Sequence, residues 1–158
     1  MLETMTSRIV RGTRRRDSGD DNICGTRKPQ GKARPRFSKG HTYTPKQTAE
    51  YEALIRRMYQ LAGGKMFEGA VHIRIMILYP IPKNTPKLKA QQMLQGYILP
   101  TKKPDGDNVE KAVADALNGV AYEDDSCIVR ASWEKWYTER ENCGLVVTVR
   151  FADDKHIE

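Results

Sequence analysis

Residues 102–126, KKPDGDNVEKAVADALNGVAYEDDS, hold seven carboxylates, and beyond the two leading lysines only Lys111 offsets them. Asp105 and Asp107 form a D-x-D pair in which Gly106 permits a tight backbone bend, so both carboxylates can aim at one spot. Helical spacing places Lys111 one turn beyond Asp107, opposite the stripe of Val109, Val113 and Ala116. The short turn GVAYEDDS brings back Glu123, Asp124 and Asp125, and a strand beside this helix would deliver one of them to the pair. Two bare carboxylates about 4 Å apart repel by about 4 kcal/mol at an effective dielectric near 20, so three converging ones need a cation. Hard oxygen donors suit Mg²⁺, which keeps several waters and favours sites shared with a phosphate. Phosphodiester hydrolysis would use every part of such a site. The metal lowers the pKa of an attacking water and stabilises charge on the scissile phosphate, while Lys111 steadies the phosphate or orients the water.

Each residue also has a plainer role. Asp107 at a helix N-terminus complements the helix dipole, Asp105 after Pro104 suits a turn, and Asp124-Asp125 suit a solvated turn. Lys111 can simply pair with Asp107 or Asp115. Glu110, Asp115 and Glu123 are read as helix surface and turn. The case for a metal site therefore rests on the combination.

The charge distribution points to a polyanionic partner. The chain has 158 residues and a formal net charge of +7, yet residues 1–40 contain eleven Lys/Arg against four Asp/Glu, which leaves residues 41–158 neutral. Cations concentrated in one arm are the footprint of a phosphate-rich ligand, or more simply of a solubilising tail. In the extended segment KPQGKARPRFSKG, Lys32, Arg34 and Arg36 alternate onto one side, where they would meet flanking phosphates. No apolar run approaches the roughly 18 residues of a membrane span, and the first residues do not read as a secretory signal. Cys24, Cys127 and Cys143 are too few and too scattered for a disulfide framework, so reduced thiols and a cytoplasmic location are expected.

The length suits a single domain, expected over residues 29–158 behind a basic, poorly ordered arm at 1–28. Thr44, Pro45 and Gln47 open a helix whose stripe is Tyr51, Leu54, Ile55, Met58 and Leu61, ended by Gly63-Gly64. Residues 71–79 alternate as a strand that becomes apolar on both faces. Residues 86–95 suit a short helix with contacts through Leu88, Gln92 and Met93. Residues 107–118 form a second amphipathic helix stopped at Asn118-Gly119. Residues 126–137 and 144–151 alternate as two strands that should pair as a hairpin. The sum is an α+β fold, a small mixed β-sheet with helices packed mainly on one face.

The stretch KKPDGDNVEKAVADALNGVAYEDDSCIV resembles the signature block of the RusA family of four-way (Holliday) junction resolvases, and GKARPRFSKGHTYTPKQTAEYE resembles the start of its phage and Gram-positive members. The resemblance runs from about residue 28 to 151. It implies a homodimeric, Mg²⁺-dependent endonuclease of recombination and repair, with Mn²⁺ as the candidate substitute, that cuts two opposed strands of a branched DNA. It assigns the acidic triad to Asp105, Asp107 and Asp125, the functional lysine to Lys111, and an accessory place to Asp124. Family members usually begin with a short hydrophobic strand, and here DSGDDNICGTRK is a poor one, so the first edge strand should be short or missing. The alternative is a non-catalytic, structure-selective DNA-binding protein whose acids serve as caps and turns.

Overall fold

β4 (Val71–Pro80) is buried at all but two of its ten positions, which fixes it at the centre of the sheet. Its odd-numbered side chains, Val71 to Tyr79, enter the main core, whereas Met76 and Leu78 enter a smaller cluster with Val146 and Trp136 on the opposite face. A strand buried along nearly its whole length needs a partner along each edge to satisfy its backbone N–H and C=O groups. The computed structural model, which describes residues 21–24, 31, 36–38, 41–43 and 46–152, supplies both. β5 (Ile128–Thr138) pairs parallel to β4, and β6 (Gly144–Phe151) pairs antiparallel to it on the other side. β1 (Asp21–Cys24) then adds antiparallel to β6, giving a four-stranded mixed sheet in the order β1-β6-β4-β5. β2 (Arg36–Ser38) and β3 (His41–Tyr43) form a separate antiparallel pair.

The expected hairpin of β5 and β6 does not form, because β4 lies between them. Two strand spacings are about 9.6 Å, a gap that residues 139–143 bridge easily. The burial of the two strands agrees: β6 is mostly buried, as an interior strand should be, and β5 is largely half-exposed, as an edge strand should be. β1 falls within the segment expected to be a poorly ordered arm, and its four residues make the edge strand short rather than missing.

α1 (Lys46–Leu61) and α3 (Gly106–Leu117) pack on the Ile73/Ile75/Ile77 face, held together partly by a hydrogen bond from Arg56 Nε to the Ala116 carbonyl at 3.0 Å. The contact line of α1 is Thr48, Tyr51, Ile55 and Tyr59, whereas Leu61 is 72% exposed, so the stripe runs through Tyr59 and not to the helix end. Tyr59 is amphipathic: its ring is buried and its hydroxyl donates to the Lys65 carbonyl at 2.6 Å. α2 (Lys87–Leu94) packs beside β5 with Met93 as its one buried residue and with Leu88 and Gln92 exposed. Behind it Gly96, at φ 83°, lets the chain pass against Trp136, where a Cβ would lie 2.6 Å from the ring. α3 matches expectation, with Val109, Ala112, Val113, Ala116 and Leu117 all fully buried. Among the described residues no helix is long and apolar enough to cross a membrane.

Candidate active site

α3 begins between the two paired carboxylates. Asp105 occupies its N-cap with extended backbone (φ −69°, ψ 142°), and its side chain makes no capping hydrogen bond. Asp107 lies in the first turn, where its charge complements the helix dipole. Both are exposed, so their oxygens are open to a ligand. Gly106 is not there for a positive φ. It is the first residue of α3, and a Cβ would lie 2.2 Å from Cδ2 of Trp133 on β5. The indole thus occupies the space beside the D-x-D while remaining 42% exposed. On the other side, a Cβ at Gly31 would lie 3.0 Å from the Cβ atoms of Pro104 and Asn108. The chain at Gly31, immediately before Lys32, therefore touches the start of α3. Lys32, Arg34, Thr44 and Pro45 lie outside the described residues, and Arg36 is placed in β2.

The segment leading into Asp105 is tied to the sheet. Tyr79, near the end of β4, donates its hydroxyl to the carbonyls of Lys102 (3.3 Å) and Pro104 (3.5 Å), and Lys135 Nζ donates to the Lys102 carbonyl at 2.7 Å. The Lys135 ammonium also stands 5.9 Å from the centre of the Tyr79 ring, at the outer limit of a cation–π contact. Burial pushes the Tyr79 phenol above its ordinary pKa, and the nearby Asp105 charge pushes it further, so it stays a donor. Sequence reading missed Tyr79, Trp133 and Lys135 as parts of the site. The available signal was a tyrosine on an apolar strand face, whose hydroxyl must find a partner when buried.

The third acid arrives from the far end of α3. Gly119 (φ 72°) turns the chain back, Tyr122 donates its hydroxyl to the Ala114 carbonyl at 2.7 Å, and the Phe67 amide donates to the Ala121 carbonyl at 2.8 Å. Burial, with Asp125 as the next contributor, raises the Tyr122 phenol far above its usual range. Asp125 is exposed and begins a short 3-10 turn into β5, and Asp124 caps that turn by accepting from the Ser126 amide at 3.0 Å. These hydrogen bonds with Ser126 hold the Asp124 carboxyl below its ordinary pKa. Asp124 thus does structural work of its own.

The structure brings Asp105 and Asp107 to one helix end but does not close the three acids into a cage. Among the described residues no group of three or more His, Cys, Asp or Glu side chains is placed to hold a metal ion. Tyr122 meets α3 about 10 Å along the helix from Asp107, and Lys111 lies on the intervening turn. Lys111 is exposed and makes no ion pair among the described residues, so it is not spent on Asp107 or Asp115. Exposed like charges repel, and no side chain among the described residues bridges them. The donor set still fits Mg²⁺, which is commonly held by one or two carboxylates plus waters and substrate phosphates rather than by an all-protein cage.

Comparison with known proteins shows the family. The model of the family described as endodeoxyribonuclease RusA matches residues 27–150. An uncharacterized protein of Bacillus subtilis (strain 168), YqaN, is 32% identical over 128 residues, which cover 75% of this chain and 89% of that protein. The match takes in the D-x-D, Lys111, the Asp124-Asp125 turn and every strand of the central sheet except β1, and the chain belongs to the RusA endodeoxyribonuclease family.

Proposed function

We propose that this protein is a Mg²⁺-dependent endodeoxyribonuclease that resolves four-way DNA junctions by paired cuts, acting as a homodimer in recombination and repair. The observation that carries this reading is the start of α3, where two exposed carboxylates flank a glycine packed against Trp133 of β5, while the chain at Gly31 enters alongside. Asp105 and Asp107 would hold the metal, with Asp125 approaching from the β5 turn. Bound there, Mg²⁺ supplies an activated water and charge stabilisation at the phosphate. The protein's own part is to fix geometry and charge. Tyr79 and Lys135 hold the 102–104 backbone so that Asp105 is presented outward, and Trp133 limits how far the N-terminus of α3 can shift. Lys111, exposed and without an ion pair among the described residues, would offer its ammonium to the scissile phosphate, where it offsets negative charge that grows as the water attacks. Lys32, Arg34 and Arg36 would contact flanking phosphates. Mn²⁺ is the candidate substitute ion.

The test is cleavage of a synthetic four-way junction with Mg²⁺, with and without EDTA. Wild type should nick opposed strands only when the metal is free. Asp107→Asn should lose cutting by about 10²-fold or more and keep binding, because removing a negative charge near phosphate does not weaken association. Strong cutting by Asp107→Asn in Mg²⁺ would sink the assignment. A second reading, a non-catalytic structure-selective DNA-binding protein, is favoured by the open arrangement of the three acids. It predicts that junction binding is unaltered by EDTA and that no cleavage appears.

A further inference from the structure

The face of the sheet turned away from α1 and α3 carries three arginines in adjoining rows. The ladder sets Arg130 on β5 beside His72 on β4, and His72 beside Arg150 on β6. The next row on that face is Ser132, Arg74 and Thr148. With strands about 4.8 Å apart and about 7 Å between same-face residues, the three arginine stems rise from a patch roughly 10 Å across. Among the described residues one carboxylate pairs with them: Glu134 accepts from Arg74 at 3.1 Å and also from Trp136 Nε1 at 3.0 Å. Arg130 is exposed and has no hydrogen bond or ion pair among the described residues.

His72 forms the floor of the patch, 7% exposed. Arg150 donates to its Nδ1 from both Nε (3.2 Å) and Nη2 (3.1 Å), so the ring is neutral and its proton resides on Nε2, which is buried without a partner among the described residues. Burial lowers the His72 pKa, and Arg150, Arg130 and Arg74 lower it further, which registers a positive field at this point of the sheet. A guanidinium presents a planar fork that matches phosphate oxygens, so a clustered arginine surface with one carboxylate partner among the described residues suits phosphodiesters.

We propose that the Arg74/Arg130/Arg150 face binds the backbone phosphates of a second DNA arm while a first arm lies at Asp105 and Asp107. The proposal rests on the nuclease reading above and extends it to substrate selection. β5 is the edge strand, and it presents Trp133 toward Gly106 on one face and Arg130 on the other. Duplex DNA is stiff over this distance, with a persistence length of about 150 bp, so one straight duplex cannot wrap from one face to the other. Two arms diverging from a branch point can. Engaging both surfaces at once makes the second contact intramolecular, which favours branched over linear DNA without base-specific contacts.

The experiment measures binding of the full-length chain in EDTA to a four-way junction and to a linear duplex of the same arm sequence, across a salt series, for wild type, Arg130→Ala and Arg130→Lys. Arg130→Ala should weaken junction binding by about fivefold and flatten its log–log salt slope by about 0.9, the signature of one lost phosphate contact. Linear-duplex binding should change little, and Arg130→Lys should restore the junction slope. An unchanged junction slope for Arg130→Ala would overturn the proposal, and equal weakening on both DNAs would reject the second-arm role. Absence of binding to either DNA by wild type would overturn the nuclease reading as well, so the two failures are distinguishable.

Discussion

Gly106 is held between two carboxylates and an indole, and its lack of a side chain is a matter of space. A Cβ there would lie 2.2–2.3 Å from three atoms of the Trp133 ring, a collision that requires either the ring or the helix start to move. Gly106→Ala is therefore expected to destabilise the protein by about 1–3 kcal/mol through overpacking, despite the better helix propensity of alanine. Shrinking the ring should remove the conflict: the Gly106→Ala/Trp133→Leu double variant should be more stable than the sum of the single changes by about 1 kcal/mol or more in urea melts. Strict additivity would show that the ring and the glycine do not meet in solution. The D-x-D and its helix were legible in the sequence because helix periodicity and local charge are short-range signals. The reason for the glycine was not, since Trp133 is remote in sequence and its approach depends on how β5 is paired.

The same distinction between local and nonlocal signals separates the elements that were foreseen from those that were not. α3 matches its expected stripe residue by residue, because its contact face is set by its own 3.6-residue period. β5 and β6 alternate as strands should, and their adjacency in sequence suggests a hairpin, but β4, buried along nearly its whole length, takes the interior place between them. Leu61 and Leu88 were expected in contact faces and are exposed, because apolar character alone does not say where a helix leaves the core. The sheet pairing also makes a pH prediction. His72 is neutral in the folded state, with its pKa lowered by burial and then by Arg150, Arg130 and Arg74, whereas the unfolded chain binds a proton near pH 6.5. The unfolded state then holds more protons in the acidic window, so this contribution to stability is full above about pH 6.5 and is lost as pH falls toward the lowered folded value. Thermal melts from about pH 7.5 to about pH 5.5 should show Tm falling, with a smaller slope for His72→Gln. An equal slope in the variant would place the acid sensitivity elsewhere.

At the scale of the whole molecule, the basic N-terminal region and the sheet overlap in sequence, and that overlap fixes where the chain can be shortened. Residues 1–20 carry five arginines against three acids, whereas β1 at Asp21–Cys24 completes the edge of the central sheet against β6. Removing residues 1–20 leaves β1 in place, so Tm should hold while DNA affinity falls and its salt dependence becomes shallower as cations are lost. Removing residues 1–28 takes away β1 as well. It uncovers the backbone hydrogen-bonding edge of β6, an interior strand whose side chains are largely buried. An apolar strand with an open edge is a template for pairing with other chains, so the longer deletion should lower Tm and promote association at high protein concentration. Light scattering alongside the melts separates the two effects. Identical Tm and monodispersity for the two truncations would show that β1 adds nothing to the fold, and an unchanged salt slope for the shorter one would remove residues 1–20 from the DNA contact.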